Sequence, residues 1–194
     1  MVEKVDKILA AEEAFARRVA LGVLVTTPQS IFHSLIPFMF IFDFLRRGTV
    51  IRHYTRHFMF PRKLALDTAL VEMQTENKEA LSSDLADNIG IWLESMKFYS
   101  PDLVKAYVKL IEILAAHYLK LLSAEGDTIY LLIEQAYQNT VNFEQFIETI
   151  TPAEKEVDRQ VIEQLGGTEK VKEKILTEQQ QIAKRRQKIL DEVF

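Results

Sequence analysis

His53 and His57 stand four residues apart, a spacing that puts two imidazoles on one face of a helix. Such a pair can begin a metal site, and zinc hydrolases add a Glu beside the first histidine as general base. Here that neighbour is Tyr54, and Arg52 and Arg56 bring positive charge that disfavours a cation. His53 and His57 are therefore weak metal ligands on paper, better suited to solvent or to an anion. The di-metal chemistry of helical bundles needs Glu-x-x-His on two helices. Three residues before the four histidines stand Ser30, Val50, Tyr54 and Leu114, none of them acidic.

Nucleophilic and cofactor chemistry is equally poorly provided for. The chain has no cysteine, which excludes thiol nucleophiles, disulfides, zinc fingers and thiolate-held clusters. It has no Gly-x-Ser-x-Gly elbow, no Gly-x-Gly-x-x-Gly turn and no Walker loop. His33 lies beside Ser30 and Ser34 without an orienting acid, and His117 sits at the edge of an apolar helical stripe. No catalytic residue, cofactor or firm metal ligand is assigned. An aromatic pocket near His33 and His117, holding a small molecule or supporting an enzyme, is the alternative reading.

The stretch that carries a functional hypothesis is 46–63. On a helical wheel Val50, Ile51, Tyr54, Phe58 and Met59 fall on one side. Arg46, Arg52, His53, Arg56, His57 and Lys63 fall on the other, with Arg47 beside them in sequence. A basic amphipathic helix directly after Phe32, Phe38, Phe40, Phe42 and Phe44 resembles the pattern of a membrane-surface anchor. The expected partner is an anionic membrane surface or an acidic protein. The competing view makes the aromatic stretch a central helix covered by its neighbours.

The elements that must position this face are helices. Six glycines and five prolines in 194 residues leave too little turn chemistry for a sandwich or barrel of short strands. The patterning predicts an all-α fold, an irregular bundle of seven to nine helices around a bent, aromatic-rich helix at 28–47. Breaks are expected at Gly22, Gly48, Pro61, Gly126 and Gly166-Gly167, with helix starts at Pro28, Ser100-Pro101 and Thr151-Pro152. Asp127 is expected to cap a helix at about 128–138. The clearest stripe is Leu103, Tyr107, Leu110, Ile111, Leu114, Tyr118 and Leu121.

The division expected is a bundle domain, 1–167, and a charged C-terminal helix, 168–194. In that helix Ile175, Ile182 and Ile189 recur every seven residues, a thin seam for docking on the bundle or for homo-oligomeric assembly.

Charge sharpens the picture. The net charge of −4 conceals a block of 10 Lys+Arg against 6 Asp+Glu in residues 1–70, and one of 5 against 13 in 71–150. An acidic chain, with a pI near 5.7, is not expected to bind nucleic acid. Met1 to Leu9 lacks the basic-then-apolar order of a secretory leader. Residues 31–45 span only about 22 Å as a helix, short of a ~30 Å hydrocarbon core. The expectation is a non-enzymatic interaction protein, cytoplasmic and peripheral at the membrane.

Overall fold

The computed structural model describes residues 1–26, 47–74 and 78–194, and among these the chain forms seven helices and no strand. They are α1 (Val2–Thr26), α2 (Arg47–Glu72), α3 (Lys78–Ser95), α4 (Pro101–Ser123), α5 (Ile129–Tyr137), α6 (Thr140–Gln164) and α7 (Glu169–Val193). The fold is all-α, as the scarcity of Gly and Pro required. Residues 28–46 of the expected aromatic helix, His33, Pro37 and Arg46 included, lie outside the described residues.

Among the described residues the central position belongs to α4, which packs against α2, α3, α5 and α6. Its predicted stripe is buried from Leu103 through Leu121, with Leu103 and Ile111 wholly covered. Each such side chain contributes about 1.5–3 kcal/mol through burial. A second, smaller apolar group joins Ala16, Val19, Ala20 and Val23 of α1 to Tyr54 of α2 and Ile182 of α7.

Several helix ends follow their sequence signals. The Ser100 hydroxyl accepts from Leu103 N–H at 3.1 Å, ahead of Pro101. Gly166 and Gly167 end α6 with positive φ of 77° and 62°. Gly167 N–H bonds to Ile162 C=O and Gly166 N–H to Glu163 C=O, the paired bonds of a Schellman turn. The cap of α5 is Thr128 rather than Asp127, because the Thr128 side chain meets Leu131 N–H at 3.3 Å.

Other expected breaks are absent, for a common reason. Pro61 lies inside α2 and Pro152 inside α6, so the chain runs as helix through the break expected at Pro61 and the start expected at Thr151-Pro152. A proline inside a helix costs about 3 kcal/mol. Across Pro61, however, one continuous face buries Tyr54, Met59, Ala65, Leu66 and Ala69, and across Pro152 another buries Phe143, Ile150, Ala153 and Val157. Packing on both sides outweighs the missing backbone bond. Thr151, read as a cap, instead donates its hydroxyl to Ile147 C=O at 2.6 Å within α6. Gly48 lies in the first turn of α2. Gly22 lies inside α1, where the side chain of Gln181 on α7 occupies the space a Cβ would need.

Candidate functional site

A chain of charges ties five helices together beneath α2. Arg62, 5% exposed, donates from Nε to Glu12 of α1 at 2.9 Å and approaches Glu154 of α6 at 3.5 Å. Its guanidinium also lies 3.4 Å from the centre of the Phe58 ring and donates to Phe58 C=O. Glu12 accepts a second bond from the Tyr118 hydroxyl of α4 at 2.8 Å. Glu154 accepts two from Arg186 of α7, at 2.7 and 2.8 Å, in the bidentate geometry that suits guanidinium and carboxylate. Charge is matched within the network, with two carboxylates to two guanidiniums.

Beside it, α2, α3, α4, α6 and α7 line a partly open cavity of about 140 Å³. Asp158 of α6 and Glu178 of α7 both line it, and each is engaged by one neighbour. Gln179 donates to Asp158 at 2.7 Å, and the Tyr54 hydroxyl donates to Glu178 at 2.7 Å. Burial disfavours both charges, and the two carboxyls repel each other and Glu154. Asp158 is pushed up to about 7 and Glu178 to about 8. Lys174 lines the same cavity, and its burial lowers it to about 8.

The residues expected to form the basic face separate into two groups. Arg52, Arg56 and Lys63 are exposed on the outer side of α2, within about 40° of one another on the wheel. Arg52 donates to Thr49 at 3.1 Å, and among the described residues neither Arg52 nor Arg56 joins an ion pair. His53 and His57 are half-buried, and His57 turns inward to line the cavity. Burial lowers the His57 pKa first, and the charges of His53 and Arg56 lower it further. Arg47 occupies the first position of α2.

His117 belongs to a different place. It shares a 2.6 Å hydrogen bond between Nδ1 and the Tyr137 hydroxyl and stacks on Phe146 at 4.2 Å. Its burial, with Arg186, Lys120 and Arg62 nearby, lowers its pKa to about 3, so the ring is neutral. A small cavity of about 90 Å³ borders it. Ile175 lines the cavity beneath α2, while Ile182 and Ile189 pack against the two apolar groups of the bundle. Among the described residues no three His, Asp or Glu gather into a metal-binding group.

No protein-family model, curated protein or solved structure matches the chain. Its chemistry therefore rests on these residues alone. The side chain that sequence reasoning missed is Arg62, together with its partners Glu12 and Glu154. A signal was present: Arg62 follows Tyr54 and Phe58 at four-residue steps, so it lies on the apolar stripe of α2, where a cation needs a buried partner. Nothing in the sequence pairs Asp158 with Glu178, which come from different helices.

Proposed function

We propose that the protein is a non-enzymatic interaction module that applies the outer face of α2 to an anionic membrane surface, as a peripheral protein. The observation that carries this reading is the outward stripe of Arg52, Arg56 and Lys63, whose two arginines lack a carboxylate partner among the described residues. The stripe runs about 16 Å along the helix, close to the lateral reach of several lipid headgroups. Each Lys or Arg held near an anionic leaflet contributes about 1 kcal/mol, so three give weak, salt-sensitive binding. The five phenylalanines between 31 and 45, just before α2 in sequence, supply the apolar residues that a surface anchor adds to its charges. Among the described residues no helix is long and apolar enough to cross a membrane, so a spanning role is not invoked.

The test is cosedimentation with phosphatidylserine-containing vesicles and with neutral phosphatidylcholine vesicles, each at low and high salt. Binding to the anionic vesicles alone, weakening as salt rises, is expected. Arg52→Glu with Arg56→Glu should remove that binding and leave the circular dichroism spectrum intact, since both side chains are exposed. No sedimentation with anionic vesicles at low salt sinks the membrane reading and points instead to an acidic protein as the partner of the stripe.

A further inference from the structure

The cavity beneath α2 is walled mainly by apolar side chains, Trp92, Leu110, Val157 and Val171 among them. Polar groups interrupt those walls: Tyr54, His57, Tyr107, Asp158, Lys174 and Glu178, beside Arg62 and Glu154 of the network. Tyr107 is 8% exposed and lines the cavity. Asp158 and Glu178 each commit one oxygen, to Gln179 and Tyr54 respectively, and each has a second oxygen to offer.

We propose that this cavity binds a small organic monocation, a primary amine carried on one ring or a short alkyl chain. Its ammonium sits against Asp158, Glu178 and the Tyr107 hydroxyl, and its apolar body lies against Trp92. Size sets the first limit. A dry apolar cavity of roughly 150 Å³ holds one benzene, so about 140 Å³, in a cavity that is partly open, limits the occupant to about one ring.

Charge sets the second. Arg62 and Arg186 are already matched by Glu12 and Glu154, and of the groups left on the cavity the two carboxyls of Asp158 and Glu178 outnumber the single ammonium of Lys174. The carboxyls repel each other and Glu154, and a cation between them relieves that repulsion. The aromatic rings of Trp92, Tyr54 and Tyr107 also line the cavity. An anionic ligand could pair with Lys174, but it would add a negative charge beside two carboxyls. This site is separate from the outer stripe of α2, and each proposal can fail without the other.

Trp92 is the single tryptophan of the chain and lines the cavity, so its fluorescence reports entry directly. The full-length protein is titrated at pH 7 with benzylamine, benzyl alcohol and benzoate, following Trp92 emission and, in parallel, heat. Benzylamine should saturate with a Kd of about 0.1–1 mM, the range set by eight heavy atoms at ordinary ligand efficiency. Benzyl alcohol should bind at least about tenfold more weakly, and benzoate should not saturate.

The D158N/E178Q double variant removes the repulsion, so it should fold at least as stably and lose about tenfold or more in amine affinity. Val157→Phe, which fills the cavity with a ring, should block all three probes while the helical spectrum is retained. Failure of benzylamine to saturate overturns the site. Benzoate or benzyl alcohol binding as tightly as the amine overturns the ligand class. Undiminished amine binding by D158N/E178Q overturns the role of the two carboxyls.

Discussion

Arg62 of α2 donates from Nε to Glu12 of α1 at 2.9 Å, with the arginine side chain 6% and the glutamate side chain 20% exposed. A guanidinium placed this deep is stabilised only by what it touches, and Arg62 touches carboxylates from two other helices. Removing one member of a buried ion network leaves the remaining charges uncompensated, at about 3–5 kcal/mol. Arg62→Ala is therefore expected to lower the urea-unfolding free energy by that amount, or the Tm by about 10 °C in a chain of this size. Arg62→Lys should recover only part of the loss, since a single ammonium cannot repeat the forked geometry. A loss under about 1 kcal/mol for Arg62→Ala would mean that the network does not hold α1, α2 and α6 together.

Asp158 and Glu178 give the protein a pH dependence of defined sign. Their folded pKa values, about 7 and about 8, lie above ordinary carboxyl values, so the folded state holds protons that the unfolded state has released. Stability contributed by such groups is present at low pH and is lost as pH rises from the unfolded values toward 8. Above pH 6.5 His57 and His117, whose pKa values are lowered, add little slope. The Tm should thus fall by about 2–6 °C between pH 6.5 and 8. Beyond pH 8 the lowered Lys174 acts in the opposite direction, because the unfolded lysine holds its proton longer. Thermal melts at half-unit steps check this, and the D158N/E178Q variant should show a flat profile from 6.5 to 8.

These two predictions rest on features of unequal legibility. The helical class and the α4 stripe could be read from residue spacing, because one helix carries its whole apolar face in consecutive sequence. Pro61 misled as a break and Pro152 as a helix start, since a local penalty of about 3 kcal/mol says nothing of the packing on either side. The outer stripe of Arg52, Arg56 and Lys63 was visible because it lies on one helix. The pairing of Glu12 with Arg62, or of Tyr54 with Glu178, depends on which helices become neighbours. No periodicity within either helix encodes that, and an arginine on an apolar stripe was the one local trace of it.

The caps offer a comparison with an internal control. Ser100 and Thr128 each accept a backbone N–H from the residue three positions on, whereas Thr168 at the start of α7 makes no side-chain cap bond. Ser100→Ala and Thr128→Ala should each cost about 1 kcal/mol in chemical denaturation. Thr168→Ala should stay within about 0.5 kcal/mol of the parent. Equal losses at all three positions would show that the threonine of α7 is capping in solution after all.

His117 governs the acid side. Its ring is buried 8% exposed against Phe146 and hydrogen-bonded to Tyr137, and its pKa is lowered to about 3. The unfolded chain takes up a proton near pH 6.5 that the folded ring refuses. Its contribution is therefore complete above pH 6.5 and is lost as pH falls toward 3. The carboxyl pair gains stability over part of the same range, so the two must be separated by variants. His117→Gln keeps a polar atom near Tyr137 without a titrating group. It should lower stability at pH 7 by about 1–3 kcal/mol through lost stacking and packing. Between pH 6.5 and 4 its stability should then rise relative to the parent, narrowing or closing that gap. Parallel profiles for parent and variant would mean that His117 is protonated in the folded protein and that its ring is open to water.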